Sequence, residues 1–80
     1  LTVDAKIVSR RADVSHHHHA GNQGTAPHTT TSTTYYVTFQ MESGDRMELR
    51  VSGQEYGYLA EGDAGKLTFQ GTRYQGFQRT

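Results

Sequence analysis

YYVTFQMESGDRMELRVSGQE, residues 35–55, is the stretch that decides the fold. Tyr35, Val37, Phe39 and Met41 alternate with Tyr36, Thr38, Gln40 and Glu42, and Met47, Leu49 and Val51 alternate with Arg46, Glu48 and Arg50. A period of two over two such runs describes a pair of half-buried strands rather than helix. Ser43-Gly44-Asp45 separates them as a turn. Setting Met41 across from Met47 keeps both apolar faces together and predicts a three-residue loop, whereas a two-residue Gly-Asp turn would set Met41 against Glu48. Ser52-Gly53-Gln54-Glu55 then has the spacing of a capping box, in which the serine oxygen accepts from the amide three residues on and the glutamate returns to the serine amide. A short helix through about Leu59 follows. Tyr56, Leu59 and Ala60 fall three and four residues apart, so one side of this turn covers the open end of a barrel.

Toward the N-terminus, Val3, Ala5 and Ile7 alternate with Thr2, Asp4 and Lys6, which makes residues 1–14 another strand. Toward the C-terminus, Glu61-Gly62-Asp63-Ala64-Gly65 is a tight connection, with Asp63 bonding backbone amides. It leads into a strand over residues 66–70, with Leu67 and Phe69 facing inward. Gly71-Thr72-Arg73 reverses the chain into a last strand, residues 74–79. Tyr74 and Phe77 are an odd number apart, so a bulge at Gly76 is expected to turn both toward the core. Residues 15–33 carry almost no apolar side chain and include Gly21, Gly24, Pro27 and a threonine run, a composition that predicts a flexible loop. The expected fold is all-β, one domain over residues 1–80. It is a small five-stranded antiparallel barrel, OB-like or SH3-like, with one helical turn after strand three and a long loop between strands one and two.

Eighty residues fit one small domain with a small core. Eight basic and eight acidic side chains balance, so no global field draws the chain to a polyanion. Cysteine is absent, which removes disulfides, thiolate nucleophiles and cysteine-held zinc together. No run of about 18 apolar residues occurs, so the fragment itself is expected to make no membrane contact. A first residue of Leu1 in place of methionine is expected of a piece of a longer chain.

Three blocks carry a family resemblance: Tyr36-Val37-Thr38-Phe39, Leu49 through Gly57, and above all Gly62-Asp63-Ala64-Gly65-Lys66-Leu67-Thr68-Phe69-Gln70-Gly71-Thr72-Arg73-Tyr74. In these the chain resembles the bacterial family known as domain of unknown function 2500. The resemblance implies a small β-barrel, preceded in full-length members by one membrane-spanning segment, and hence membrane association of the full-length protein. It implies no activity.

Few residues carry chemistry. His16, His17, His18 and His19, with His28 nearby, have metal-ligand character, because imidazole suits zinc, nickel or copper ions. A solvated loop supplies no second layer of contacts to hold such ligands, so a silent polar loop is expected, with weak metal binding as a minor alternative, and no cofactor. Lys6, Arg10, Arg11, Arg46, Arg50 and Arg73 could gather on one face beside Tyr36, with Tyr36, Arg46 and Arg50 as its centre, a platform for single-stranded nucleic acid or oligosaccharide. Against this, cross-strand acids such as Asp4 and Glu48 neutralise basic residues on a sheet surface. No nucleophile with a base, no carboxylate pair in a cleft and no phosphate-cradling glycine loop is present, so the chain is not expected to be an enzyme. The leading expectation is a non-enzymatic accessory or interaction module for a protein partner. The alternative is an OB-like binder of nucleic acid or sugar polymer.

Overall fold

The computed structural model describes residues 1–19 and 28–80, with side chains described at 1–16 and 30–80. The elements are β1 (Thr2–His19), β2 (His28–Met41), β3 (Arg46–Val51), α1 (Gly53–Tyr58), β4 (Ala64–Gln70) and β5 (Arg73–Arg79). The strands close into a barrel in the order β1-β2-β3-β5-β4, with β4 returning to β1. Four seams are antiparallel, as expected. The fifth is not: β3 and β5 run parallel and meet through the single pair Arg50 and Arg73. The helix carries the chain across the barrel end after β3, so the β4–β5 hairpin arrives with β5 pointing the same way as β3.

The inward faces are those the alternation predicts. Ala5, Ile7, Val37, Phe39, Leu49, Val51, Leu59, Leu67 and Phe69 form the buried core, with Val3, Tyr35, Met41, Met47, Tyr56, Tyr74 and Phe77 packed around it. Five of these, Phe39, Ile7, Leu49, Leu67 and Val37, are wholly buried, each contributing roughly 1.5–3 kcal/mol of transfer free energy. Phe39 is the hub, with ring centroids 5.5 Å from Phe77 and 6.0 Å from Tyr74. Both reach it because β5 bulges. Thr68 pairs with Gly76 and Phe69 with Tyr74, leaving Gln75 as the extra residue.

A second bulge lies in β1. Ile7 pairs with Phe39 but Ser9 with Thr38, so Val8 is the inserted residue, and the faces of the strand exchange there. Before it Val3, Ala5 and Ile7 point in. After it Arg10 stands opposite the buried Val37.

Ser52 caps α1 as its spacing predicts, its hydroxyl accepting from the Glu55 amide at 3.1 Å. The Glu55 carboxylate reaches elsewhere, accepting from the Tyr74 hydroxyl at 3.5 Å.

Two further sequence expectations are corrected. The β2–β3 register pairs Phe39 with Met47 and Gln40 with Arg46, not Met41 with Met47. The Met41 amide donates to the Asp45 carbonyl at 2.8 Å and the Gly44 amide to Met41 at 2.9 Å, so the three loop residues are Glu42, Ser43 and Gly44. Gly44 sets this register, because its φ of 91° fills the left-handed position that ends such a loop. The shift is by two residues, so both apolar faces still point inward. The expected flexible loop over 15–33 also gives way to paired strand wherever the structure describes it. Ser15 pairs with Ser32, and the ladder continues through His19 and His28, while residues 20–27 lie outside the described residues. Threonine-rich strands need no apolar burial to pair, because a ladder already anchored in the barrel adds backbone hydrogen bonds outward one pair at a time.

Candidate functional site

The barrel register assembles one surface row from four strands. Arg11 pairs with Tyr36, Tyr36 with Arg50, and Arg50 with Arg73. Paired residues share a face of the sheet, and here it is the outer one, since Val37 and Leu49 on either side point inward. The Arg11 guanidinium lies 4.1 Å above the Tyr36 ring centre. It is held there by a two-pronged bond to Glu48, Nε to Oε2 at 2.9 Å and Nη2 to Oε1 at 2.8 Å. That hydrogen bonding holds the Glu48 carboxyl below its ordinary range and raises the Arg11 guanidinium above its own. Arg50 and Arg73 are exposed, and among the described residues neither has an ion-pair partner.

Of the residues the sequence nominates as a face, Tyr36 and Arg50 are brought together. Arg46 is not: it lies four positions down β3, opposite Gln40, about 13 Å away at ~3.3 Å per residue. Lys6 also pairs with Gln40, so Lys6 and Arg46 form a separate row at the far end of the sheet. Arg10, next to Arg11 in sequence, goes to neither. Its guanidinium lies 4.4 Å from the Tyr56 ring centre and donates to the Tyr56 carbonyl at 2.7 Å and to the Leu59 carbonyl. It thus closes the C-terminal end of α1, where backbone carbonyls lack helical partners. Sequence reasoning missed this because only the bulge at Val8 turns Arg10 inward. Asp4 neutralises Lys66 at 2.6 Å rather than Lys6.

Asp63 has structural partners too. The Asp63 carboxylate accepts from the Ala60 amide at 3.2 Å and from Arg79 Nε at 2.7 Å, and the Arg79 bond leads the causes that lower its pKa. An open depression lined by Asp4, Lys6, Gln40, Met41 and Glu42 lies on the surface away from Tyr36. Among the nominated metal ligands, His16 is exposed, its Nδ1 3.5 Å from the Thr31 hydroxyl. The side chains of His17, His18, His19 and His28 lie outside the described residues. Among the described residues no group of three metal-binding side chains occurs, and no helix is long and apolar enough to cross a membrane.

Comparison with known proteins gives a family and a fold. The family model described as "Protein of unknown function (DUF2500)" matches residues 1–78. A crystal structure of a DUF2500 protein from Klebsiella pneumoniae superposes with a TM-score of 0.72 at 21% identity, covering 100% of this chain and 97% of that one. A crystal structure from Proteus penneri ATCC 35198 gives 0.74 at 20% identity, covering 100% of this chain and 94% of that one. No curated protein matches the chain.

Proposed function

The chain belongs to the DUF2500 family, and on that premise we propose that it is a non-enzymatic accessory module that binds a protein partner through the outer face of β1, β2 and β3. In this reading a segment outside the present sequence displays the barrel at a bacterial membrane. One observation carries the proposal: the row Arg11, Tyr36, Arg50 and Arg73 stands side by side on an exposed sheet surface. Arginine and tyrosine are the types enriched where protein interfaces concentrate their binding energy. The absence of an activity is supported by the side chains that could carry one. The Glu55 carboxylate accepts from the Tyr74 hydroxyl, and that of Asp63 holds a turn amide and an ion pair with Arg79.

A photo-crosslinking residue placed at Thr38, one row below Tyr36, in the membrane-anchored full-length protein tests the reading. A discrete protein adduct that disappears in Tyr36→Ala is expected. Adducts to lipid alone, or none, would end it.

A second reading has its own observation. A five-stranded barrel in the order β1-β2-β3-β5-β4, with its helix between β3 and β4, is OB-like, and such barrels bind oligonucleotides and oligosaccharides across strands two and three, where Tyr36 and Arg50 lie. A retarded single-stranded oligonucleotide at low salt, lost in Tyr36→Ala, is its expected result, and an unshifted probe removes it.

A further inference from the structure

We propose that Arg50 and Arg73 form a carboxylate-binding pair at the β3–β5 seam, which captures a short acidic segment of a partner polypeptide. The inference rests on the interaction-module reading and names the chemistry of its partner.

Arg50 and Arg73 are the only residues through which β3 and β5 pair, and both are exposed. Like charges directly opposite one another destabilise a sheet. Among the described residues no ion pair offsets this repulsion, the ion pairs being made elsewhere: Arg11 with Glu48, Lys66 with Asp4, Arg79 with Asp63. Two arginines paired across one seam suit planar carboxylates, which a guanidinium fork can grip through two parallel hydrogen bonds.

The neighbours limit what the anion can be. Glu48 lies one row below and Asp13 on the far side of Arg11, close enough to influence its charge. A long polyanion or a charged bilayer laid over the seam would meet these acids, and the balanced net charge adds no long-range attraction. Along this row nucleic acid finds only the open face of Tyr36 to stack on, and the exposed Tyr58 lies on α1, outside the row. Arg11 already covers one face of Tyr36, while Tyr35, Tyr56, Tyr74 and Phe77 pack against the core. A short run of Asp or Glu needs only the two cations.

The test titrates fluorescein-labelled hexaglutamate against the folded domain, with hexaglutamine and a six-nucleotide oligothymidylate as controls. Backbone amide shifts are recorded in parallel. The expected result is saturable hexaglutamate binding with shifts centred on Arg50 and Arg73. Arg50→Gln and Arg73→Gln each weaken it about tenfold, and Arg46→Gln leaves it unchanged. The thermal midpoint of either seam variant should stay level or rise, since the repulsion is relieved, whereas a structural role would lower it. No hexaglutamate binding, an equal loss in Arg46→Gln, or tighter binding of oligothymidylate would each overturn the proposal. Should the Thr38 crosslink persist in the Arg50→Gln, Arg73→Gln double variant, the acidic-segment inference falls while the interaction-module reading stands.

Discussion

A Cβ built on Gly65 would sit 2.1 Å from the carbonyl oxygen of Gln78. Gly65 pairs with Ala5 on one side and Arg79 on the other, so it is the point at which β4 is pressed between two strands. The next atoms, Arg79 Cα and Gln78 carbonyl carbon, lie at 2.8 Å and are backbone too, so no side chain can swing aside. Gly65→Ala is therefore expected to cost about 3 kcal/mol, the upper part of the usual overpacking range, read as a lowered denaturation midpoint. An unchanged midpoint would mean that β4 and β5 can separate freely.

Gly44 needs its lack of a side chain for a different reason. Nothing lies within 4 Å of its virtual Cβ, but its φ is 91°. Gly44→Ala should cost roughly 1–2 kcal/mol through backbone strain alone. Gly44→Asn should recover part of that loss, because asparagine tolerates this conformation. Urea denaturation of the two variants measures the difference, and equal losses would refute the strain account.

Arg10 offers a test of how the barrel end is closed. Arg10→Ala removes two charge-assisted hydrogen bonds to α1 and the cover over Tyr56, and a loss of about 1.5–3 kcal/mol is expected. Lysine at this position keeps the charge but not the planar fork, so Arg10→Lys should restore less than half. Full rescue by lysine, measured by thermal denaturation, would show that charge alone matters.

Tyr74 predicts an alkaline limb in stability. Burial, then the charge of Glu55 and the hydrogen bond to it, push its hydroxyl up to about 12, against an ordinary value of 10.0. A raised folded pKa means that between about pH 10 and 12 the unfolded chain has lost this proton while the folded chain still holds it. The contribution is complete below pH 10 and is lost as pH rises through that window. Denaturation of wild type and Tyr74→Phe across pH 9 to 12 should show wild type losing stability relative to the variant as pH rises, and a constant difference would contradict the assignment.

Much of this architecture is legible in the sequence because it rests on local patterns. Alternation fixes which of Val37, Phe39, Leu49 and Leu67 face inward, and Ser52 announces its helix through a contact three residues away. The odd spacing of Tyr74 and Phe77 betrays the bulge between them. The features that escape are set by partners distant in sequence. The close approach of Gly65 to Gln78 and the parallel seam at Arg50 and Arg73 exist only once the barrel closes. The β2–β3 register was open to reading, since a glycine at the third loop position is itself the signal of this hairpin, but matching methionines is a weaker cue than φ. Pairing beyond Ser15 was hidden because hydropathy cannot see a ladder held by backbone bonds. For the candidate face, Tyr36 and Arg50 could be nominated from alternation, whereas separating Arg46 and Arg10 from them required the register.

The extra residue at Val8 gives β1 two reading frames, and Arg10 and Arg11 fall in the second. Neighbours that look interchangeable therefore have opposite destinations, one the lid over the barrel end, the other the exposed row with Tyr36. A regular ladder that took Val8 in as a paired residue would swap those addresses, stranding a guanidinium outside and leaving α1 unlatched, whereas deleting Val8 would keep Ser9 opposite Thr38 and Arg10 opposite Val37. The pairing beyond Ser9, more than the identity of the residue at the bulge, is what this strand has to keep.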